Sequence, residues 1–254
     1  MTNPILETKM LGIDFGGLTA VNNLSIHINE KEIVGLIGPN GAGKTTVFNL
    51  LTKVYEPTRG KILLCGDDLE KNTILQANVA GIARTFQNIR LFDTLSVIDN
   101  VKVAMNNHYH YSLFDTMFHT KKYKNAEKEI EEKSLELLKI FNLDSRKDLI
   151  ASSLPYGAQR RLEIARALAT NPKILLLDEP AAGMNPQETS ELMDTIRFVR
   201  DKFNICILLI EHDMNLVMNI CERIYVLNYG SLLAKGSPDE IKNNEEVIKA
   251  YLGE

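Results

Sequence analysis

The first third of the chain carries apolar residues in short, regular groups. Leu6 to Ile13 and Val21 to Ile28 contain alternating apolar positions, and Ile33 to Ile37 is nearly all apolar. These spacings predict three strands. The third runs into a glycine-rich turn and then a helical stretch from Lys44 to about Lys53. Gly60 to Cys65 reads as a further strand, turning at Gly66, Asp67 and Asp68. From about Asn88 to Thr170 the strand pattern disappears. Ala126, Ile130, Leu137, Leu138 and Phe141 recur mostly at three, four or seven residues, with glutamate and lysine opposite, as on an amphipathic helix. Strands then return. Ile174 to Leu177 and Cys206 to Ile210 are fully apolar, which suits parallel strands covered on both faces, and Pro186 to Lys202 reads as the crossover helix between them. Ser237-Pro238-Asp239-Glu240 is a helix start, with a serine cap, proline at the first position and a glutamate reaching back. The pattern therefore predicts an α/β core interrupted by one helical lobe.

Composition narrows the class of protein. The 254 residues are 44% hydrophobic and 24% charged, as in ordinary globular chains with a sizeable core. A net charge of -4 gives no basic footprint for nucleic acid. The longest apolar runs, Ile174 to Leu177 and Ile205 to Ile210, fall far short of the ~20 residues of a membrane span. Met1-Thr2-Asn3-Pro4 has no basic segment followed by an apolar one, so no signal peptide is expected and the cytosol is. Cys65, Cys206 and Cys221 are scattered and odd in number, and are expected as buried free thiols. His108, Tyr109, His110, Tyr111 and His119 lie between helices, where a solvated connection is preferred to a metal site because no second ligand cluster accompanies them. Lys121, Lys122 and Lys124 are read as a solvated face.

Gly38-Pro39-Asn40-Gly41-Ala42-Gly43-Lys44-Thr45 fits the pattern G-x-x-x-x-G-K-[ST], after a strand and before a helix, and Thr46 continues it. Glycines let backbone N–H groups turn inward around phosphates, and the helix start adds positive potential. Lys44 would reach the β- and γ-phosphates, and the Thr45 hydroxyl would ligate Mg²⁺. The cradle alone leaves kinases, GTPases, helicases and transport ATPases open.

Asp178 and Glu179 close the apolar strand Ile174 to Leu177. Ligands of open α/β sheets bind at the carboxyl ends of strands, so both acids are expected near the cradle. Asp178 is the candidate Mg²⁺ partner and Glu179 the candidate general base for an attacking water. The plain alternative is a strand ending in two solvated acids before Pro180. His212 follows the other apolar strand and could donate to a γ-phosphate, or could be a satisfied histidine at a helix start.

The segment Leu154-Pro155-Tyr156-Gly157-Ala158-Gln159-Arg160-Arg161-Leu162-Glu163-Ile164-Ala165-Arg166-Ala167-Leu168 resembles the signature of the ABC ATPases, usually L-S-G-G-Q followed by Q-R-x-x-I-A-R-A-L. Gln87 matches the family's Q-loop, Phe15 the aromatic that stacks on adenine, Pro180 to Asn185 the loop after the catalytic glutamate, and His212 the switch histidine. The resemblance covers essentially the whole chain, with the motifs in family order. It implies a P-loop NTPase core with an antiparallel β subdomain and an inserted helical subdomain. The expected division is core and β subdomain over 1–87 and 171–235, helical subdomain with the signature over 88–170, and a C-terminal helical segment over 236–254. It also implies a head-to-tail dimer, with ATP and Mg²⁺ held between the cradle of one cassette and Gly157 of the other. Catalysis would fall to Lys44, Gln87, Glu179 and His212, and Mg²⁺ to Thr45, Gln87 and Asp178. The implied partners are a second ATPase subunit or copy, two membrane permease subunits and, indirectly, an extracytoplasmic solute-binding protein. No nucleic acid is implied. The place of work would be the cytoplasmic face of the membrane.

Four residues depart from the pattern. Pro155 replaces the signature serine and Tyr156 the next glycine. Ala158 replaces the closing glutamine, and Asn185 stands where an aspartate is usual. These changes would weaken one of two ATP sites, which suits pairing with a different cassette. Leu-Pro-Tyr-Gly, Glu-Pro-Ala-Ala-Gly-Met-Asn-Pro, Ile-Glu-His-Asp-Met and the ending Ala250-Tyr251-Leu252-Gly253-Glu254 together resemble the larger ATP-binding protein of branched-chain amino acid importers. The alternatives are another transporter ATPase, such as that of lipopolysaccharide export, and a soluble ABC ATPase outside transport. The first normally keeps a fuller signature. The second usually carries two cassettes or a long coiled-coil insertion.

Overall fold

A computed structural model of the chain describes residues 4–109 and 112–252. Two compact units result, one formed by Met1–Gln87 with Lys173–Glu254, the other by Asn88–Pro172. The first unit opens with β1 (Leu6–Phe15), β2 (Leu18–Leu24), β3 (His27–Ile28), β4 (Ile33–Ile37), α1 (Lys44–Leu51), β5 (Arg59–Leu64), β6 (Asp67–Asp68), α2 (Ile74–Ala80) and β7 (Ile82–Arg84). In β1 the buried positions change parity, from Leu6 and Thr8 to Leu11 and Ile13. The switch occurs at Met10, whose φ is 48°, where pairing with β5 shifts between Lys9 and Gly12. An extra residue in one strand does this by moving later side chains to the other face. The single strand expected from Val21 to Ile28 is two. The buried Thr8 hydroxyl donates to Leu24 O at 2.9 Å and accepts the Ile26 N–H at 3.0 Å, filling the break.

The second unit is helical: α3 (Val97–Met105), α4 (Leu113–Met117), α5 (Lys121–Ile140) and α6 (Tyr156–Leu168). α3 packs against α5 and α6, burying Val97 and Val101 with Ile130, Leu138 and Phe141. His110 and Tyr111 lie outside the described residues. Among those described, no group of three or more His, Cys, Asp or Glu could hold a metal ion, and the His119 ring packs against Tyr123 at 5.4 Å.

The first unit resumes with β8 (Ile174–Asp178), α7 (Pro186–Phe203), β9 (Cys206–Ile210), α8 (Met214–Ile220), β10 (Arg223–Asn228), β11 (Ser231–Gly236), α9 (Pro238–Lys242) and α10 (Glu245–Leu252). α9 has the predicted cap, Ser237 and Glu240 forming a capping box with Pro238 in the first turn. One sheet is antiparallel, in the order β2-β1-β5-β6 with β3 on β1. The other runs β11-β10-β4-β9-β8-β7, parallel throughout except for β11. Leu11, Ile13 and Leu24 of the first sheet join Leu36, Phe48, Leu176, Leu208 and Tyr225 in one buried cluster. Cys206 and Cys221 are buried, which pushes their thiols up. Cys65 corrects the expectation. It is exposed, because it stands in the turn after β5 with φ of 53° rather than in the strand. Among the described residues no helix is long and apolar enough to cross a membrane.

Candidate active site

Five parallel strands deliver their carboxyl ends to one edge of the sheet, and each is followed there by a residue with chemistry. β4 leads into Gly38 to Lys44, β7 towards Gln87, β8 ends in Asp178 before Glu179, β9 precedes Glu211 and His212, and β10 precedes Tyr229. This is the edge at which open α/β sheets bind ligands.

Two positions of the glycine loop admit no side chain. Gly38 and Gly43 have φ of 149° and 98°. A Cβ at Gly38 would lie 2.1 Å from Leu227 O, and one at Gly43 2.7 Å from Ala20 O. Lys44 is buried, and its Nζ donates to Gly38 O at 2.7 Å and to Pro39 O at 3.0 Å. Burial holds its pKa below the ordinary lysine range, opposed by the nearby charges of Glu179 and Asp178. A cavity of about 540 Å³ is walled by Phe15, Asn40, Gly41, Ala42, Gly43, Lys44, Thr45, Thr46, Glu179 and His212, together with Leu18, Thr19, Ala20, Tyr229 and Gly230. Phe15 is partly exposed there and meets Tyr55 edge-on at 5.3 Å.

Asp178 is buried and ion-paired, its Oδ2 2.6 Å from Arg84 Nη2. Arg84 also donates to Asn49 Oδ1 at 2.7 Å, and its guanidinium lies over the rings of Phe48 and Phe86. Glu179 has a left-handed backbone, with φ of 47°. For a non-glycine residue that conformation costs on the order of 1–3 kcal/mol and persists where the surroundings fix it. Here its N–H donates to Ile210 O at 2.9 Å. Its Oε2 accepts from Gln87 Nε2 at 2.7 Å, and its Oε1 lies 2.8 Å from His212 Nε2. Residues far apart in the chain thus form one hydrogen-bonded run, Gln87–Glu179–His212.

Three further residues escaped the reading of the sequence, apart from Arg84. Glu211 is buried, and burial pushes its carboxyl up against the pull of three backbone donors. Its Oε1 accepts the Ala181 N–H at 2.8 Å, while Oε2 accepts those of His212 at 3.0 Å and Asp213 at 3.3 Å. It ties the loop after Glu179 to the start of His212's turn. The signal was present, since Glu211 follows an apolar strand just as the Asp178–Glu179 pair closes one. Tyr229 is 88% exposed with φ of 46°, in a two-residue hairpin turn with Gly230. Gly230 donates to Ala42 O at 3.0 Å and accepts from Asn22 at 2.8 Å, so the turn is bound to the cradle. On another side, Tyr229 borders a smaller cavity of about 260 Å³ with Pro39, Asn40 and Ala250. Tyr251 in α10 is exposed, and partial desolvation pushes its phenol up, partly offset by the Gly38 N–H. Nothing in the residue types announced Tyr229 or Tyr251.

Gly157 belongs to the second unit, in the first turn of α6. Pro155 at the N-cap supplies no side-chain bond to that turn, although its carbonyl accepts from Ala158 and Gln159. Asn185 caps α7, its Oδ1 accepting from Gln187 and Glu188 at 3.0 Å each.

The family model described as ABC transporter matches residues 21–182, which include the cradle, Gln87, Gly157, Asp178 and Glu179. The chain belongs to the ABC transporter family. A second model, Branched-chain amino acid ATP-binding cassette transporter, matches residues 231–254, the stretch that contains β11, α9 and α10. The chain is 50% identical to the high-affinity branched-chain amino acid transport ATP-binding protein LivG of Escherichia coli, over 100% of both chains. It is 47% identical to the corresponding protein BraF of Pseudomonas aeruginosa, again over 100% of both. To the lipopolysaccharide export ATP-binding protein LptB of Escherichia coli it is 35% identical, over 98% of this chain and 97% of that one. A solved ABC transporter cassette in its ADP conformation superposes with a TM-score of 0.86 at 29% identity, over 100% of both chains. As an ABC ATPase with a branched-chain cassette terminus, the chain has the expected α/β fold with one mainly parallel and one antiparallel sheet.

Proposed function

We propose that this chain binds and hydrolyses ATP at the β4–α1 cradle and so drives import of branched-chain amino acids. The observation that carries the reading is the Gln87–Glu179–His212 run, with Glu179 and His212 lining the same cavity as Lys44. In that reading backbone N–H groups of Gly38 to Thr45 cradle the phosphates, Lys44 neutralises the β- and γ-phosphates, and Phe15 stacks on the adenine. Glu179 accepts the proton of the water that attacks the γ-phosphorus. Gln87 and His212, bonded to either carboxylate oxygen, fix the direction in which Glu179 points.

The residues present fit Mg²⁺. Thr45, Gln87 and Asp178 are all oxygen donors, with one carboxylate among them. Mg²⁺ favours such sparse sets, completed by substrate phosphates and water. Bound there, the ion would neutralise charge on the transferring phosphoryl group. Asp178 would be its carboxylate ligand, held in place by Arg84.

Gly157 would act on the nucleotide of a facing cassette, through N–H groups at the start of α6. The partner would be a second ATPase subunit, because Pro155, Ala158 and Asn185 depart from the family pattern. Two permease subunits would anchor the pair at the cytoplasmic face of the membrane, with a solute-binding protein on the far side. A purified homodimer hydrolysing ATP cooperatively at full rate, alone, would contradict the unequal pairing.

Glu179→Gln tests the mechanism. The variant keeps nucleotide affinity and loses roughly 10²–10⁴-fold in hydrolysis, the range a general base supplies. Near-normal turnover would remove Glu179 from the role. For the solute, labelled leucine, isoleucine and valine uptake should vanish in a strain lacking the chain and return on complementation. Unchanged uptake would overturn the assignment.

A further inference from the structure

Helix α4 breaks the usual pattern of a water-facing surface. It buries none of its five side chains. Leu113 is 91% exposed, Met117 78%, Phe114 64% and the following Phe118 61%. At about 100° per residue these positions fall on one helix face, and the Phe114 and Phe118 rings meet at 4.4 Å. Single exposed apolar residues are ordinary, but four contiguous large ones are not. The patch is also held on a built frame. Ser112 and Asp115 form a capping box, and the Thr120 hydroxyl donates to Asp115 at 2.8 Å.

A second irregularity begins three residues on. α5 starts with Lys121 and Lys122, followed by Lys124, all exposed, and has no acid in its first turn. Cations at a helix N-terminus oppose the helix dipole, where acids are favoured. Between Ser112 and Lys124 three lysines face a single aspartate, in a chain of net charge -4. That aspartate is already engaged by Ser112 and Thr120, which hold its carboxyl below the usual range. Neither irregularity helps the fold. One occupant explains both.

We propose that α4 and the start of α5 form a lipid-contact site. Leu113, Phe114, Met117 and Phe118 insert shallowly into the interface of a bilayer, and the three lysines meet its anionic headgroups. The side chains project rather than line a recess. A protein partner would need a matching pocket for each, whereas a fluid interface needs none. Charge complementarity selects an anionic surface. The contact is weak and reversible, and it is independent of the nucleotide reading.

The chain contains no tryptophan, so Phe118→Trp places a sole reporter in the patch. Full-length protein is mixed with vesicles of phosphatidylcholine, with or without phosphatidylglycerol. Emission should shift to the blue, and protein should co-sediment, with the anionic vesicles only. Replacing Lys121, Lys122 and Lys124 by glutamine should weaken partitioning roughly 100-fold, about fivefold per lysine. Leu113→Ser with Phe114→Ser and Met117→Ser should weaken it at least about tenfold. All altered side chains are exposed, so nucleotide binding should be unchanged and reports folding. Absence of anionic-vesicle binding by the wild type, or equal binding by both variants, overturns the proposal. So does a patch variant that binds vesicles normally but no longer co-purifies with permease subunits, which would make the surface a protein dock.

Discussion

Glu211 touches none of the cradle, yet its removal should slow hydrolysis. Its carboxylate accepts the N–H groups of Ala181, His212 and Asp213. In Glu211→Ala all three donors lose their acceptor. Those of His212 and Asp213 are near solvent and can rehydrate, but that of Ala181 is enclosed. A buried donor left unpaired costs about 1–3 kcal/mol. For about 2 kcal/mol the melting temperature of a chain this size falls by roughly 4–8 °C. The larger effect should be kinetic, because the freed loop and turn carry Glu179 and His212. Loss of their alignment by an ångström can cost about 10²-fold in rate. Phosphate release measured against ATP concentration should therefore show kcat down about 10–100-fold with KM for ATP nearly unchanged, since Gly38 to Thr45 are untouched. Glu211→Gln keeps one acceptor oxygen and should recover most of the rate. Glutamine also removes a titration. Burial raises the Glu211 pKa above its unfolded value near 4.5, so the folded chain holds that proton more tightly. The resulting stabilisation is full below the unfolded value and is lost as pH rises through the folded one. The stability advantage of wild type over Glu211→Gln should thus shrink from about pH 4.5 upward. Wild-type kcat in Glu211→Ala, or a parallel rise in KM with no rescue by glutamine, would refute a positioning role for Glu211.

Arg84→Ala strands the buried charge of Asp178 and should cost about 3–5 kcal/mol in urea denaturation. Alanine at Gly38 would drive its Cβ to 2.1 Å from Leu227 O, so nucleotide binding should be lost in a fluorescent-nucleotide titration. Gly41→Ala meets no other protein atom within 4 Å and should cost only the left-handed backbone strain of about 1–2 kcal/mol in thermal unfolding. Asn185→Ala removes the cap of α7 and should cost about 1 kcal/mol in thermal unfolding. Asn185→Asp keeps the cap, so any change in its ATPase rate reports the site and not the fold.

The buried strands, the glycine cradle and the acidic strand end were legible because each is local. An apolar run, a fixed glycine spacing or a capping box acts through neighbours in the chain, and residue types record it directly. Short pieces such as β7 and the β10–β11 hairpin were not legible, since three to six residues take their pairing from distant strands. Tertiary structure alone decided the rest. It made Arg84 the partner of Asp178, tied Glu211 to Ala181, and bound the Tyr229 turn to the cradle. It also left Cys65 in solvent and held the α4 patch in the open. The order β11-β10-β4-β9-β8-β7 is what brings Gln87, Glu179 and His212 within hydrogen-bonding distance. Parallel strands share a direction whatever their place in the chain, so their ends meet at one edge. That meeting is set by pairing between strands, which no single stretch of sequence encodes.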